Sequence, residues 1–134
     1  MTLITWNEHL SVKVAELDQQ HQKLIGIIND LTDAIKQGKG NAVVGEIVKA
    51  LIDYAKIHFE TEEKYFRQLG YPQASDHMKE HEEFVLKVTG FETTPKGRFS
   101  LSVQVLQFLG DWLIKHIMGT DKAYSEFFNA KGLR

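Results

Sequence analysis

Apolar residues recur along the chain at alternating spacings of three and four positions, which is typical of helices that bury one stripe. One such stripe runs through Leu17, Leu24, Ile28, Leu31 and Ile35. Comparable stripes, separated by glycine and proline, predict helices over about residues 18–38, 41–69, 73–90 and 99–118. Four helices of this length with short connections favour an all-α fold, an up-down-up-down four-helix bundle.

The predicted helix ends rest on local signals. Asp18 is a candidate N-cap for the first helix. Gly70 can adopt the left-handed conformation that ends the second helix, and Pro72 prevents its continuation. A loop is expected from Gly90 to Arg98.

Two shorter segments flank the predicted bundle. Residues 1–17 are expected to form an N-terminal arm, whose Trp6 packs against the helices. The amphipathic segment from Lys122 to Asn129 is expected to form a short C-terminal helical stub.

Composition narrows the classes of protein to consider. A chain of 134 residues suits a single domain, here spanning 1–134. The absence of cysteine excludes disulfides and thiolate metal ligands. Sixteen Lys and Arg against eighteen Asp and Glu give a net charge of −2, which does not favour nucleic-acid binding. The sequence predicts neither a secretory signal nor a membrane span, so a cytoplasmic location is expected.

Histidine is placed unusually. Five of the six histidines fall on the predicted inward stripes: His21, His58, His77, His81 and His116. A single histidine on an apolar face is ordinarily a hydrogen-bonded core residue. That explanation is weaker for His77 and His81, because a spacing of four puts two imidazoles on one helix face, within reach of one ion.

Glu62 strengthens the case for a metal. It follows His58 by four residues, on a stripe otherwise made of apolar and aromatic residues. A buried carboxylate without a partner costs several kcal/mol, and no Lys or Arg shares these stripes. A cation is therefore the simplest partner.

Asp121 is the last candidate ligand. It follows His116 by five residues, which on an ideal helix is a rotation of about 500°, so the two side chains differ by about 140°. Asp121 can join the site only if the helix unwinds between them, and Gly119 and Thr120 are expected to break it there. The alternative is that Asp121 caps the C-terminal stub.

The remaining polar candidates are assigned plainer roles. Glu60 and Glu63 lie off the stripes and are expected to face solvent. Met78 and Met118 are expected to be packing residues, since thioethers suit softer ions than imidazole and carboxylate do. His9 is expected to lie on the arm, away from any metal.

Seven candidate ligands are too many for one ion, because structural zinc takes four and catalytic zinc three plus water. Seven ligands that include two carboxylates fit two ions, with each carboxylate bridging. A carboxylate-bridged pair in a bundle core indicates iron or manganese.

At this point the sequence resembles a known family. The segments that carry the resemblance are Asp-Gln-Gln-His21, His58-Phe-Glu-Thr-Glu62, His77-Met-Lys-Glu-His81 and His116-Ile-Met-Gly-Thr-Asp121. They resemble the ligand motifs of the hemerythrins, and the arm is similar to that of the bacterial single-domain branch, the bacteriohemerythrins. One departure is Lys13, where bacterial relatives commonly have glycine.

The resemblance implies a ligand set and a cofactor. His77, His81 and His116 would bind one iron, and His21 and His58 the other. Glu62 and Asp121 would bridge both ions, together with a solvent-derived oxo or hydroxo group. The first iron would then be six-coordinate and the second five-coordinate, with one open position.

The resemblance also implies a function, which is reversible binding of dioxygen, held as a hydroperoxide on the five-coordinate iron. Storage, delivery or scavenging of oxygen would follow, with an oxygen-consuming enzyme as the expected partner. By matching positions, the oxygen pocket would be lined by Leu24, Phe59, Trp112, Leu113 and Ile117, although core packing explains each of these residues equally well.

Other functions stay open at this stage. An oxygen or redox sensor has similar chemistry but ordinarily carries an output domain, and a di-iron enzyme such as a peroxidase or nitric-oxide reductase is the alternative of a different class. Di-iron oxygenases and ferritins use Glu-x-x-His pairs and about four carboxylates, whereas no such pair lies on these stripes. The stripes leave no additional apolar face, so a monomer is expected.

Overall fold

The structure is a computed structural model that describes residues 3–94 and 101–134. Four long helical segments form the bundle, with no strand in the described part of the chain. In chain order they are α1 (Ala15–Lys36), α2 (Gly40–Leu69), α3 (Ala74–Glu92) and α4 (Leu101–Trp112), the last continued by a π-helix (Leu113–Asp121). The prediction of an all-α four-helix bundle is confirmed.

The first helix begins earlier than predicted, because Asp18 is not its N-cap. Val14 precedes the first helical residue in an extended conformation, and α1 begins at Ala15. Asp18 lies in the first turn and instead accepts hydrogen bonds from the Val12 backbone N–H at 2.8 Å and the Ser11 hydroxyl at 2.6 Å. Its carboxylate therefore fixes the direction in which the arm enters the bundle.

Glycine was expected to end both α2 and α3, and it does so only in α2. Gly70 caps α2 with φ of 70°, and its N–H donates to the Phe66 carbonyl, as the sequence predicted. Gly90, in contrast, does not end α3, which continues to Glu92. The expected loop therefore begins at Thr93, and both residues 95–98 and the predicted start of the fourth helix at residue 99 lie outside the described residues.

The buried apolar residues form two clusters with a polar layer between them. Along α1, Leu24 belongs to the larger cluster and Leu17 to the smaller one, with His21 between them. Along α2, Phe59 and Phe66 flank Glu62 in the same way. The predicted ligands therefore occupy one level of the bundle, closed above and below by apolar packing.

The arm contacts both apolar clusters, and near Val12 it meets the C-terminal segment. Ile4 and Trp6 are partly buried against the larger cluster, and Ile4 exchanges two backbone hydrogen bonds of 2.8 Å with the Asn29 side chain. After the π-helix come a 3₁₀-helix (Lys122–Tyr124) and α5 (Ser125–Ala130), where a single helical stub was expected. The Ser125 hydroxyl donates to the Val12 carbonyl, which joins the two termini.

Candidate metal centre

The seven predicted ligands come from all four helical segments and meet in the polar layer. They are His21 on α1, His58 and Glu62 on α2, His77 and His81 on α3, and His116 and Asp121 on the π-helix. All seven are buried, with exposures of 2% or less. Their donor atoms form two groups suited to a metal ion, one of three histidines with Glu62 and one of two histidines with both carboxylates.

The first group, which we call the three-histidine site, contains His77, His81, His116 and Glu62. Asp121 Oδ1 lies 2.8 Å from His77 Nε2 and 3.0 Å from His116 Nε2. Glu62 Oε1 lies 2.8 Å from His81 Nε2. Both carboxylates therefore present an oxygen to these imidazoles.

The second group, which we call the two-histidine site, contains His21, His58, Glu62 and Asp121. Asp121 turns its other oxygen, Oδ2, to this side, 3.0 Å from His21 Nε2. Glu62 Oε1 lies 3.5 Å from His58 Nε2, the same distance as from His77 Nε2. The two carboxylates thus lie between the sites, as bridging would require.

The contacts within the centre suit a shared cation better than direct hydrogen bonding. Glu62 Oε1, both oxygens of Asp121 and the Nε2 atoms of His77, His81 and His116 are buried and have no hydrogen-bond partner within the described residues. Metal–nitrogen bonds of about 2.1 Å place two ligands at right angles ~3.0 Å apart. Five of the separations between these ligand atoms, at 2.8–3.1 Å, have that size. The two separations of 3.5 Å correspond to a wider angle between ligands. The residues therefore fit a pair of metal ions.

Both carboxylates are held in the charged form. Burial and mutual repulsion raise the pKa of Glu62, but His58, His77 and His81 outweigh them, so its pKa lies below the usual range. Burial likewise raises the pKa of Asp121, and the surrounding histidines, His116 foremost, reverse this to a value well below normal. The carboxylates therefore bring two negative charges to the centre, which bound cations or protonated histidines would balance.

The π-helix is what brings Asp121 to the site. Hydrogen bonds from residue i to i+5 widen each turn, so residues five apart lie nearly above one another. His116 and Asp121 therefore share a face without any break in the helix. The helix does unwind between His116 and Asp121, as expected, but it does so through continuous π turns and not through a break at Gly119 and Thr120. A capping role for Asp121 is wrong, because its side chain makes no cap hydrogen bond to the following 3₁₀-helix.

The outward ring nitrogens of two ligands of the three-histidine site face carboxylates. His81 Nδ1 lies 2.9 Å from Glu63 Oε2, and His116 Nδ1 lies 2.8 Å from Glu80 Oε1. A carboxylate accepts the Nδ1 proton, so the Nε2 lone pair faces the centre, as a metal ligand requires.

The prediction that Glu63 faces solvent is wrong, whereas Glu60 is exposed as expected. Sequence analysis missed both Glu63 and Glu80. Each adjoins a ligand in the chain and is therefore rotated about 100° from the inward stripe, toward a neighbouring helix. An acidic residue next to a ligand was the one available signal.

His58 has a neutral partner instead. Its Nδ1 lies 2.5 Å from Gln20 Oε1. Gln20 Nε2 donates to the Thr61 hydroxyl oxygen at 3.0 Å, and that hydroxyl donates to the Ile57 carbonyl at 2.8 Å. Because Thr61 uses its proton elsewhere, it can only accept from Gln20, which turns the amide oxygen toward His58.

Two buried tyrosines border the ligands. The Tyr124 hydroxyl donates to Glu62 Oε2 at 2.6 Å, so one oxygen of this carboxylate faces the ligand atoms and the other is held by the protein. The Tyr54 ring stacks on His58 with centroids 5.2 Å apart. Burial and the two carboxylates raise the pKa of Tyr54 well above normal, so its hydroxyl keeps its proton.

The five residues expected to line an oxygen pocket are all buried in the larger apolar cluster. Phe59 stacks on His81 with centroids 3.8 Å apart, and Trp112 stacks on His116 at 3.9 Å. These rings cover ligands of the three-histidine site and exclude water from them. The pocket itself stays a prediction.

Two expectations about the surface need correction. Met118 is 39% exposed rather than packed, whereas Met78 packs against the smaller cluster. An apolar groove of about 560 Å³ lies between α2 and α3, beside the exposed Val85 and Leu86, although no additional apolar face was expected. His9 is exposed and outside the centre, as expected.

Fold and site together define a class: helical bundles with a buried, histidine-rich metal centre that contains two carboxylates. The family model described as hemerythrin HHE cation binding domain matches residues 12–128. The chain belongs to the hemerythrin family. Within the described residues, no helix is long and apolar enough to cross a membrane.

Individual relatives agree with this assignment. A bacteriohemerythrin from Stenotrophomonas maltophilia strain R551-3 is 32% identical over 126 residues, which are 94% of this chain and 82% of the relative. A bacteriohemerythrin from Methylococcus capsulatus strain Bath is 30% identical over 132 residues, 97% of this chain and all of the relative. A crystal structure of wild-type hemerythrin aligns with a TM-score of 0.79 at 28% identity, covering 93% of this chain. The predicted family is confirmed.

Proposed function

We propose that the protein binds dioxygen reversibly at a non-haem di-iron centre, for storage, delivery or scavenging of oxygen in the cytoplasm. The observation that carries this proposal is the unequal division of ligands, with three imidazoles on one side of Glu62 and Asp121 and two on the other. Two ferrous ions, when bound, supply an open coordination position and two electrons for exchange with dioxygen.

The division of ligands accounts for the open position. His77, His81 and His116 would hold one iron, and His21 and His58 the other, with both carboxylates shared. With a solvent-derived oxo or hydroxo group shared between the ions, the first would have six ligands and the second five. One small ligand can therefore bind per chain, at the two-histidine site.

The charge of the ligand set favours binding over oxidation chemistry. Di-iron oxygenases and ferritins surround their ions with about four carboxylates. Only two are among the ligand groups found in the described residues. Fewer anionic ligands leave more positive charge on the metals, which disfavours the high oxidation states that cleavage of the O–O bond requires. This ligand set, with iron bound, would therefore favour reversible binding of dioxygen over cleavage of the O–O bond.

The surroundings of the centre support the same conclusion. His21 and His58, which would hold the ion with the open position, are at most 1% exposed, and the Tyr54 ring stacks on His58. A dry site protects a reactive complex from water and outside reductants.

An oxygen-consuming enzyme is the partner that we propose, and we propose that the protein acts as a monomer.

Spectroscopy tests the proposal directly. The purified protein is loaded anaerobically with ferrous iron, the metal is counted, and the visible spectrum is recorded through repeated cycles of air and argon. Two irons per chain, and a charge-transfer band that forms and disappears with the gas, are expected. Conversion to the ferric state in the first cycle, or turnover of hydrogen peroxide or nitric oxide, would indicate a sensor or an enzyme instead.

Matched variants locate the response. His58→Ala removes a ligand of the two-histidine site and is expected to abolish oxygen exchange. His9→Ala removes an exposed histidine outside the centre and should leave both iron content and the spectrum unchanged. Oxygen exchange by the His58→Ala protein at the wild-type level would contradict the assignment of the open position.

A further inference from the structure

The two metal sites differ in the groups behind their histidines. In the three-histidine site, His81 and His116 each face a carboxylate through Nδ1, at 2.9 Å from Glu63 and 2.8 Å from Glu80. In the two-histidine site, His58 faces the neutral amide oxygen of Gln20, and His21 Nδ1 has no partner within residues 3–94 and 101–134. The carboxylates that contact outward ring nitrogens therefore all belong to the three-histidine site.

We infer that Glu63 and Glu80 act as positioning residues that make the three-histidine site the tighter and more easily oxidised of the two. A carboxylate that accepts the Nδ1 proton draws it partly away, so the ring becomes a stronger donor at Nε2. A neutral amide does this less. The effect adds to the third imidazole that this site already has.

The carboxylates are only partly exposed, so their charge is not fully screened. The Glu63 side chain is 25% exposed and the Glu80 side chain 36%. Each is one imidazole ring away from a donor atom of the site, and the rings themselves are buried. Charges linked through a buried ring are screened by salt less than surface pairs are.

Both types of partner are fixed by further contacts. The Thr120 hydroxyl donates to Glu80 at 2.9 Å, so Glu80 is held by two residues of the π-helix, Thr120 and His116. Gln20 is fixed by the accepting hydroxyl of Thr61. The difference between the sites is therefore built into the packing of the helices.

This inference rests on the proposed function and deepens it. If iron fills both sites, the ion held by His77, His81 and His116 would have no open position, but it would lose one of the two electrons that dioxygen takes up. Glu63 and Glu80, which contact the histidines of this site, would lower the free energy needed to remove that electron. The neutral partner at His58 would leave the two-histidine site with weaker donors than the three-histidine site.

Metal titration tests the inference without dioxygen. The metal-free protein is titrated anaerobically with Co²⁺, whose visible spectrum reports each binding step, in a His58→Ala background that leaves the three-histidine site intact. Glu80→Gln and Glu63→Gln are each expected to weaken Co²⁺ binding there by ~10–100-fold. The control Glu60→Gln removes an exposed charge from the same face of α2 and should change the affinity less than twofold.

The reverse variant distinguishes electronic from merely structural effects. In the otherwise wild-type protein, Gln20→Glu should strengthen the weaker Co²⁺ step and bring the two steps closer together. In the iron-loaded protein, Glu80→Gln should raise the potential of the first oxidation by roughly 59 mV for each tenfold loss of preference for the ferric ion. Melting of the metal-free variants checks that each one folds.

Two outcomes would overturn the inference. One is a Co²⁺ affinity of the three-histidine site that neither glutamine variant changes, and the other is a first oxidation potential that Glu80→Gln leaves unchanged. Because the Co²⁺ titration involves no oxygen, a protein with the expected cobalt pattern but no oxygen exchange would contradict the proposed function alone.

Discussion

His116 Nε2 lies 3.0 Å from Asp121 Oδ1 although the two residues are five positions apart, a spacing that an α-helix places on different faces. The π-helix from Leu113 to Asp121 resolves this conflict by widening the turn. Since the helix continues through Gly119, that glycine is not needed as a break.

Gly119→Ala should therefore preserve metal binding. Gly119 is exposed, and a Cβ added there meets nothing within 4 Å. Because alanine favours helix over glycine, the free energy of unfolding should increase by about 0.5–1 kcal/mol. Denaturant melts and iron counting check this. The matched control is Gly70→Ala, where a φ of 70° should make the same change destabilising by about 1–2 kcal/mol.

Lys13 is the one described non-glycine residue with a positive φ, 61°. Lys13→Gly should raise the free energy of unfolding by about 0.5–1 kcal/mol, because relief of left-handed strain outweighs the added entropy of the unfolded chain. The lost ion pair to Glu8 is exposed and contributes little. Lys13→Ala also loses that pair but keeps the strain, so equal melting temperatures for the two variants would contradict this explanation.

Tyr124→Phe should destabilise the protein by about 1–3 kcal/mol, because it leaves the buried Glu62 Oε2 without its donor. Thermal melts of the metal-loaded protein measure the loss. Tyr65→Phe is the control, since the Tyr65 hydroxyl donates to the exposed Glu16 and its removal should cost less than about 0.5 kcal/mol. Similar losses in both variants would argue against a special role for the buried contact.

Removal of a shared carboxylate should release the metals. Glu62→Ala is expected to lose iron from both sites and to lower the melting temperature, since one negative charge of the centre disappears. Metal analysis and calorimetry test this against His9→Ala, which should change neither. Full iron content in the Glu62→Ala protein would show that this carboxylate is not a shared ligand.

Metal loading should release protons at pH 8. Burial lowers the pKa of His77, but the nearby carboxylates of Asp121 and Glu62 outweigh it and raise the value to about 10. The metal-free protein therefore carries a proton on His77, and a metal must displace it. This proton stabilises the metal-free fold fully below pH 6.5, and the contribution is lost as the pH rises through about 10.

His58 behaves oppositely, because burial lowers its pKa to about 4 and it has no proton to lose. A pH indicator in weak buffer counts the protons released when Co²⁺ is added. His77→Gln should release one proton fewer than the wild type, and the apparent metal affinity of the wild type should rise with pH up to about 10. A release that His77→Gln does not change would contradict the shifted pKa.

Much of the site could be predicted because its signals are local. A spacing of four places His77 beside His81 and His58 beside Glu62 on any α-helix, and a carboxylate on an apolar stripe requires a partner. The stripes themselves predicted the bundle. These inferences need only the regular geometry of one helix at a time.

The remainder depends on relations between helices. Nothing local indicates that the turn before Asp121 widens instead of breaking. Glu63 and Glu80 acquire their roles only because α3 lies beside α2 and the π-helix lies beside α3. Asp18 is likewise a residue type that is common at N-caps. The arm folds back onto its carboxylate, however, and α1 begins three residues earlier.

The ligand layer divides the hydrophobic interior into unequal parts, and the smaller one contains seven buried residues among those that the structure describes. Bound ions would therefore connect this smaller cluster, which includes Val12 of the arm and Phe128 of the C-terminal helix, to the rest of the molecule. When the ions are removed, the smaller cluster should unfold locally before the larger one. In the metal-free protein, amide hydrogen exchange should be faster around Phe66 and Phe128 than around Leu51. That result would show that the cofactor stabilises the smaller cluster.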